Sequence, residues 1–284
     1  MRWLTCLFAL LNGLLGAGCE LAAPLRGTPV APGVATATFE VRARSTDVVE
    51  VEVLYPADEA ALPLAGPHPA VVLVQGGRVG VGRYAWQGEA LARAGYVVAL
   101  PRHDLDLAFF AIENGEEARR LLVNPPPGSL LDGQVDAARV AVGGHSLGGV
   151  VATKLALRGG FQALVLEASY PDGADVQALE AFTLPSLSLA GANDCTAPLE
   201  KVRTGWDALP APTALSVLAG VTHYQFTDSE AEDATRGCAA GVSLDEAHAR
   251  VAASLVGFLD AVNAGQGVGE TALKAVPGAK VTTR

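Results

Sequence analysis

From residue 70 onward, short unbroken apolar runs alternate with stretches of helical spacing. Ala70-Val71-Val72-Leu73-Val74 and Tyr96-Val97-Val98-Ala99-Leu100 contain no charged residue, the pattern of strands buried on both faces. Residues 139–143, 163–166, 184–190 and 214–218 read the same way. Helical spacing falls between them, at 84–94, 105–122, 150–157 and 198–209, and a long amphipathic stretch follows at 244–262. Ahead of this series, 35–43 and 48–55 alternate apolar and polar around Arg44-Ser45-Thr46-Asp47, which predicts a β-hairpin. These runs make eight strands. Strand–helix alternation implies a mostly parallel α/β sheet with helices on both faces, and the hairpin adds an antiparallel edge. Residues 20–33, rich in Ala, Pro and Gly, read as a tether, and 265–284, without a clear apolar face, as a disordered tail. Only 169–183 separates the sixth strand from the seventh, too little for a cap domain. The expected organisation is a leader at 1–18, a tether at 19–34, one α/β domain at 35–264 and a tail at 265–284.

Composition supports one sizeable core: half of the 284 residues are hydrophobic and 18% are charged. A formal charge of −10 without basic runs argues against nucleic acid and against anionic membrane surfaces as partners. The first residues change the compartment expected. Arg2 precedes an apolar run, residues 3–15, too short to span a bilayer. It ends in Leu14-Leu15-Gly16-Ala17-Gly18-Cys19 and resembles a bacterial lipoprotein signal with Cys19 as lipid anchor, although Gly16 stands where that family prefers leucine. Cleavage near Ala22-Ala23 and simple secretion is the alternative. Either way the chain is exported, any membrane association comes through that anchor, and Cys195 and Cys238 become a disulfide candidate.

The chemistry centres on Arg139-Val140-Ala141-Val142-Gly143-Gly144-His145-Ser146-Leu147-Gly148-Gly149, followed by the helical run at 150–157. Strand, tight turn with a serine, then helix is the context that makes Gly-x-Ser-x-Gly a nucleophile elbow. Glycines at 144 and 148 leave room for the turn, and a serine hydroxyl attacks only when a base takes its proton.

In chains with such an elbow the order is serine, acid, histidine. His68, His103 and His145 come too early, and His248 lies inside the last helix. His223 remains, in a loop beyond the strand ending near Leu218, where sites on parallel sheets form. Asp194, directly after the seventh strand, is the leading acid, and Glu167, at the end of the sixth, is the second choice. Donors for a tetrahedral oxyanion are expected from the backbone N–H of Leu147 and from Gln75-Gly76-Gly77-Arg78, with Gly77 favoured over Arg78. Asp194 and His223 must meet, so their loops converge and make a bond between Cys195 and Cys238 plausible. Tyr84, Trp86, Tyr170 and Tyr224 are candidates to line a cleft or simply to pack.

The elbow, with Gly95-Tyr96-Val97-Val98-Ala99-Leu100-Pro101-Arg102-His103-Asp104 and Gln134-Val135-Asp136-Ala137-Ala138-Arg139, resembles the α/β-hydrolases across roughly residues 35–264. Within them the likeness is to dienelactone hydrolase-like proteins, chlorophyllases, platelet-activating-factor acetylhydrolases and bacterial cutinase-like polyester hydrolases. The resemblance implies an α/β-hydrolase fold and hydrolysis of small or polymeric carboxylic esters, with neither cofactor nor metal. Three departures matter. Ser146 stands where dienelactone hydrolases carry cysteine, Gln75-Gly76 stands where many relatives have His-Gly, and no cap is inserted. A serine peptidase would share the triad, and a non-catalytic binding lipoprotein could share the fold.

Overall fold

The computed structural model describes residues 23–43, 48–103 and 108–284. The leader with Cys19, the turn at 44–47 and Asp104 with the start of the helix expected at 105 lie outside the described residues.

In chain order the elements are β1 (Thr28–Ala31), β2 (Val34–Arg42), β3 (Val48–Pro56), β4 (His68–Val74), α1 (Ala85–Arg93), β5 (Val97–Pro101), α2 (Ala108–Val123), β6 (Val135–His145), α3 (Leu147–Arg158), β7 (Ala163–Glu167), α4 (Val176–Leu179), β8 (Ser186–Gly191), α5 (Leu199–Asp207), β9 (Thr213–Leu218), α6 (Ala231–Thr235), α7 (Leu244–Asn263), α8 (Glu270–Lys274) and β10 (Ala279–Thr283). Among the described residues they build one ten-stranded sheet in the order β1-β2-β3-β5-β4-β6-β7-β8-β9-β10. The strands from β5 to β9 run parallel, and β1, β2, β3 and β10 add antiparallel edges.

The apolar runs explain this layering. Val71–Val74, Val97–Leu100 and Leu164–Leu166 are buried throughout, so both faces of those strands need cover. The path from β4 to β5 moves one way along the sheet and the path from β5 to β6 moves back past β4. Right-handed crossovers then put α1 on one face and α2 and α3 on the other. α7 joins α1 and buries Ala247, Val251, Leu255, Phe258 and Leu259 along one stripe. Ser243 caps it, its Oγ accepting from the Glu246 N–H at 3.2 Å. The reversal at β4 opens a crevice at the carboxyl ends of β4 and β6, where Val74 lies beside Gly144. The loop after β4 and the turn after β6 therefore start as neighbours.

Two expectations need correction. The sheet has ten strands, not eight, because the tether contributes β1 and the C-terminal segment contributes β10. Nor is 265–284 an unstructured tail. Leu273 of α8 is buried, and β10 pairs along all of β9 from Ala279–Leu218 to Thr283–Ala214. Arg284 anchors the end. Its guanidinium lies 4.1 Å above the Trp206 ring and donates to Leu209 O at 2.9 Å, while its backbone exchanges hydrogen bonds with Thr213. β10 is only half-buried, so its order comes from the edge it completes rather than from an apolar face of its own. Between β7 and β8 the chain carries only a 3-10 turn and the one-turn α4, so no cap domain is inserted there.

Candidate active site

Ser146 sits between the last residue of β6 and the first of α3 with φ +54° and ψ −121°. A non-glycine residue reaches positive φ only when its surroundings hold it there. Here the grip is backbone on backbone. A Cβ on Gly144 would collide with the carbonyl of Gly148, and a Cβ on Gly148 with that of Val74. The Ser146 N–H donates to Glu167 O at 2.9 Å, and Ser146 O accepts from the Ser169 hydroxyl at 2.6 Å. Ser146 and Leu147 are half-buried at the rim.

Asp194 and His223 meet. The His223 Nδ1–H donates to Asp194 Oδ2 at 2.8 Å, with both side chains buried. The other Asp194 oxygen accepts from the N–H groups of Thr196 and Ala197, both at 2.7 Å, so the carboxylate cannot rotate away. A proton on Nδ1 leaves Nε2 with its lone pair, the tautomer a general base requires. The His223 ring lies 4.6 Å, centroid to centroid, from the ring of His145, the residue before Ser146.

Glu167, the second choice of acid, accepts from Gln87 Nε2 at 2.8 Å instead. Burial pushes its carboxyl up to about 7. His248 stacks on Trp86 and bonds Thr227 O, and His68 bonds Leu64 O, so neither competes for the role of base. Tyr84 is fully buried and lines no cleft, whereas Tyr170 and Tyr224 are half-buried.

In the loop after β4, the Gly76 N–H donates to Tyr84 Oη at 2.9 Å and is committed there. Gly77 follows, half-buried, and then Arg78 at φ +58°. Beyond His223, Asp233 Oδ2 accepts from the Thr222 hydroxyl at 2.7 Å and the Tyr224 N–H at 2.9 Å, gripping the residues on either side of the histidine. Burial raises the Asp233 carboxyl, and the Thr222 and Tyr224 hydrogen bonds oppose that rise. Cys195 and Cys238 form a disulfide with Cα atoms 5.8 Å apart, and Asn193 Nδ2 donates to Ala239 O at 2.9 Å alongside it. Sequence reasoning missed Asp233, which sits in the short helix α6 within a polar stretch that carries no pattern. It also set His145 aside although that residue lies inside the motif.

Among the described residues no group of three His, Cys, Asp or Glu side chains is placed to hold a metal ion. What the arrangement can do is move a proton. An oriented imidazole stands beside the turn that carries a strained serine, with backbone N–H groups on two adjoining loops.

A family model described as the alpha/beta hydrolase family matches residues 70–236, which span the strand ahead of the Gly76 loop, the elbow, Asp194, His223 and Asp233. A search of curated proteins finds no match.

Proposed function

We propose that this chain, which belongs to the α/β hydrolase family, hydrolyses carboxylic esters through an acyl-enzyme on Ser146. The observation that carries the reading is the buried Asp194–His223 pair beside the elbow. His223 Nε2 takes the Ser146 Oγ proton as the oxygen attacks the ester carbonyl, and Asp194 stabilises the imidazolium that forms. The N–H groups of Leu147 and Gly77 receive the oxyanion, since that of Gly76 is already committed to Tyr84. The imidazolium returns its proton to the leaving alcohol. Water then repeats the sequence, releasing the acid and restoring Ser146. A crevice with no domain inserted between β7 and β8 suits extended or bulky esters.

The test is a panel of p-nitrophenyl esters of rising acyl length on the purified protein, with Ser146→Ala beside it. The wild type should turn over at least one ester, and the variant should lose on the order of 10⁴-fold or more while staying folded. A variant that keeps most of the activity would remove Ser146 from the mechanism. Hydrolysis of amides but no ester would point to a peptidase.

We further propose that the chain is exported and held at the bacterial cell envelope through Cys19. The apolar leader supports this, and so does the Cys195–Cys238 disulfide, a bond that persists in oxidising compartments. Labelled fatty acid should enter the wild type and not Cys19→Ala; no label in either would mean secretion without an anchor.

A further inference from the structure

One chain of hydrogen bonds joins three loops of the site, those of Gly76, Ser146 and His223, and its direction is set by chemistry. It begins at the Gly76 N–H, which can only donate and reaches Tyr84 Oη at 2.9 Å. It ends at the carbonyl of His223, which can only accept and lies 3.1 Å from His145 Nε2. Nε2 must therefore carry a proton. His145 is completely buried, and burial, reinforced by neighbouring His223, holds it well below its ordinary 6.5, so the ring is neutral and Nδ1 accepts. The group facing Nδ1, at 2.8 Å, is the Tyr84 hydroxyl, which donates. Every proton has one place: Gly76 N–H to Tyr84, Tyr84 O–H to His145 Nδ1, His145 Nε2–H to His223 O.

The positions joined are the ones the chemistry needs in register. Gly76 precedes the oxyanion donor Gly77, His145 precedes Ser146, and His223 is the base. Space around the chain is tight, since a Cβ on Gly76 would come to 3.0 Å from both His145 Nδ1 and Tyr84 Oη. The residue before Tyr84 braces the base loop from the other side. Arg83 pairs with Asp228 at 2.9 Å and Glu232, donates to Thr227 Oγ1 at 2.7 Å, and accepts the Asp228 N–H on its carbonyl at 3.1 Å. Neighbouring residues on one turn, Val81–Tyr84, thus hold the oxyanion loop and the base loop at once.

We propose that Tyr84 and His145 are positioning residues for the reaction, fixing through this directed chain where the oxyanion donor and the base stand relative to Ser146. The inference rests on reading Ser146 and His223 as nucleophile and base. Both side chains are fully buried, away from any surface a substrate could reach. Breaking the chain should therefore lower kcat and leave KM nearly unchanged, because loops that shift by a fraction of an ångström still bind the ester but meet its transition state poorly.

The experiment measures kcat and KM for Tyr84→Phe, His145→Leu, the double variant and His145→Gln, each checked for folding by its melting transition. Each of the first two should lose about tenfold or more in kcat with KM within about twofold. The double variant should fall no further than the worse single one, since either break opens the same chain. His145→Gln, which restores one acceptor and one donor, should recover much of the loss. Wild-type kcat in Tyr84→Phe, losses carried by KM, or losses that multiply in the double variant would overturn the proposal. Should the variants not fold, ¹⁵N spectra of histidine in the wild-type protein decide. His145 is expected as the neutral Nε2–H tautomer, unchanged from pH 6 to 8, and an Nδ1–H tautomer or a titrating ring would contradict it. Ser146→Ala run in parallel keeps the questions apart: activity surviving in that variant would remove the functional reading while leaving the spectral result to stand.

Discussion

At the end of β6 the backbone around Ser146 packs too closely for a side chain at positions 144 and 148, whereas Asp194 and His223 sit on loops held by side chains from other stretches. On the nucleophile side, Gly144 faces Gly148 and Gly148 faces Val74, all within a few residues of a strand end. On the acid–base side the fasteners are a disulfide from Cys195 to Cys238, an amide from Asn193 to Ala239, and Asp233 reaching back to Thr222 and Tyr224. The first side is made of the sheet itself and cannot loosen without the fold loosening. The second is fitted onto the sheet afterwards and can be weakened alone. The candidate site joins one part set by steric exclusion to another set by cross-links.

The strongest way to break that contrast is Gly148→Ala. The added methyl group meets the Val74 carbonyl, which belongs to the central strand β4 and has nowhere to go. We expect a loss of about 3 kcal/mol or more in stability, with activity falling alongside it. Chemical denaturation checks this. A variant as stable as the wild type would show that the elbow can relax.

The acid–base side should respond in the opposite manner. Replacing both Cys195 and Cys238 by serine removes a link across 43 residues, a loss of roughly 4 kcal/mol in the chain-entropy model. For a chain of this size that is on the order of 10 °C in melting temperature. Turnover should fall severalfold, because Asn193 and Asp233 still hold the loops. Calorimetry and ester kinetics test this together. Loss of all turnover with an unchanged melting temperature would contradict the picture of redundant fasteners.

A smaller effect separates Glu167 from the acid that serves His223. Its folded value, about 7, lies above the ordinary 4.5, so between those values the unfolded chain releases a proton that the folded chain keeps. Stability therefore falls as pH rises from 4.5 towards 7, by up to roughly 3 kcal/mol, and levels off above that. Glu167→Gln should remove this slope, raising stability at pH 8 and changing little at pH 5. His145 acts in the opposite sense, since a ring buried neutral costs stability as pH falls below 6.5. A Glu167→Gln variant with the wild-type slope would assign the pH dependence elsewhere.

The same contrast explains what could be read in advance. Continuous runs such as 70–74 and 163–166 announce strands because burial on both faces demands apolar residues at every position. Gly144-His145-Ser146-Leu147-Gly148 announces the turn because its constraint is local. The pairing of Asp194 with His223 was legible from chain order and from their places just after β8 and β9. Asp233 was not legible as part of the site, and Tyr84 only as a residue that lines a cleft or packs, because their roles are defined by partners 9 and 61 residues away. β10 escaped for a related reason. Its Lys280, Thr282 and Thr283 carry no apolar pattern, and its order comes from the free edge of β9.

The central claim is that Ser146 is a nucleophile activated by His223. A fluorophosphonate, which phosphonylates a serine with loss of fluoride only where a base and an oxyanion site act together, tests it most directly. The account predicts one adduct per chain, located by peptide mass spectrometry on Ser146. It also predicts labelling slower by about 10³-fold or more in His223→Ala. An adduct on another residue, no adduct at all, or equal labelling rates in the two proteins would contradict it.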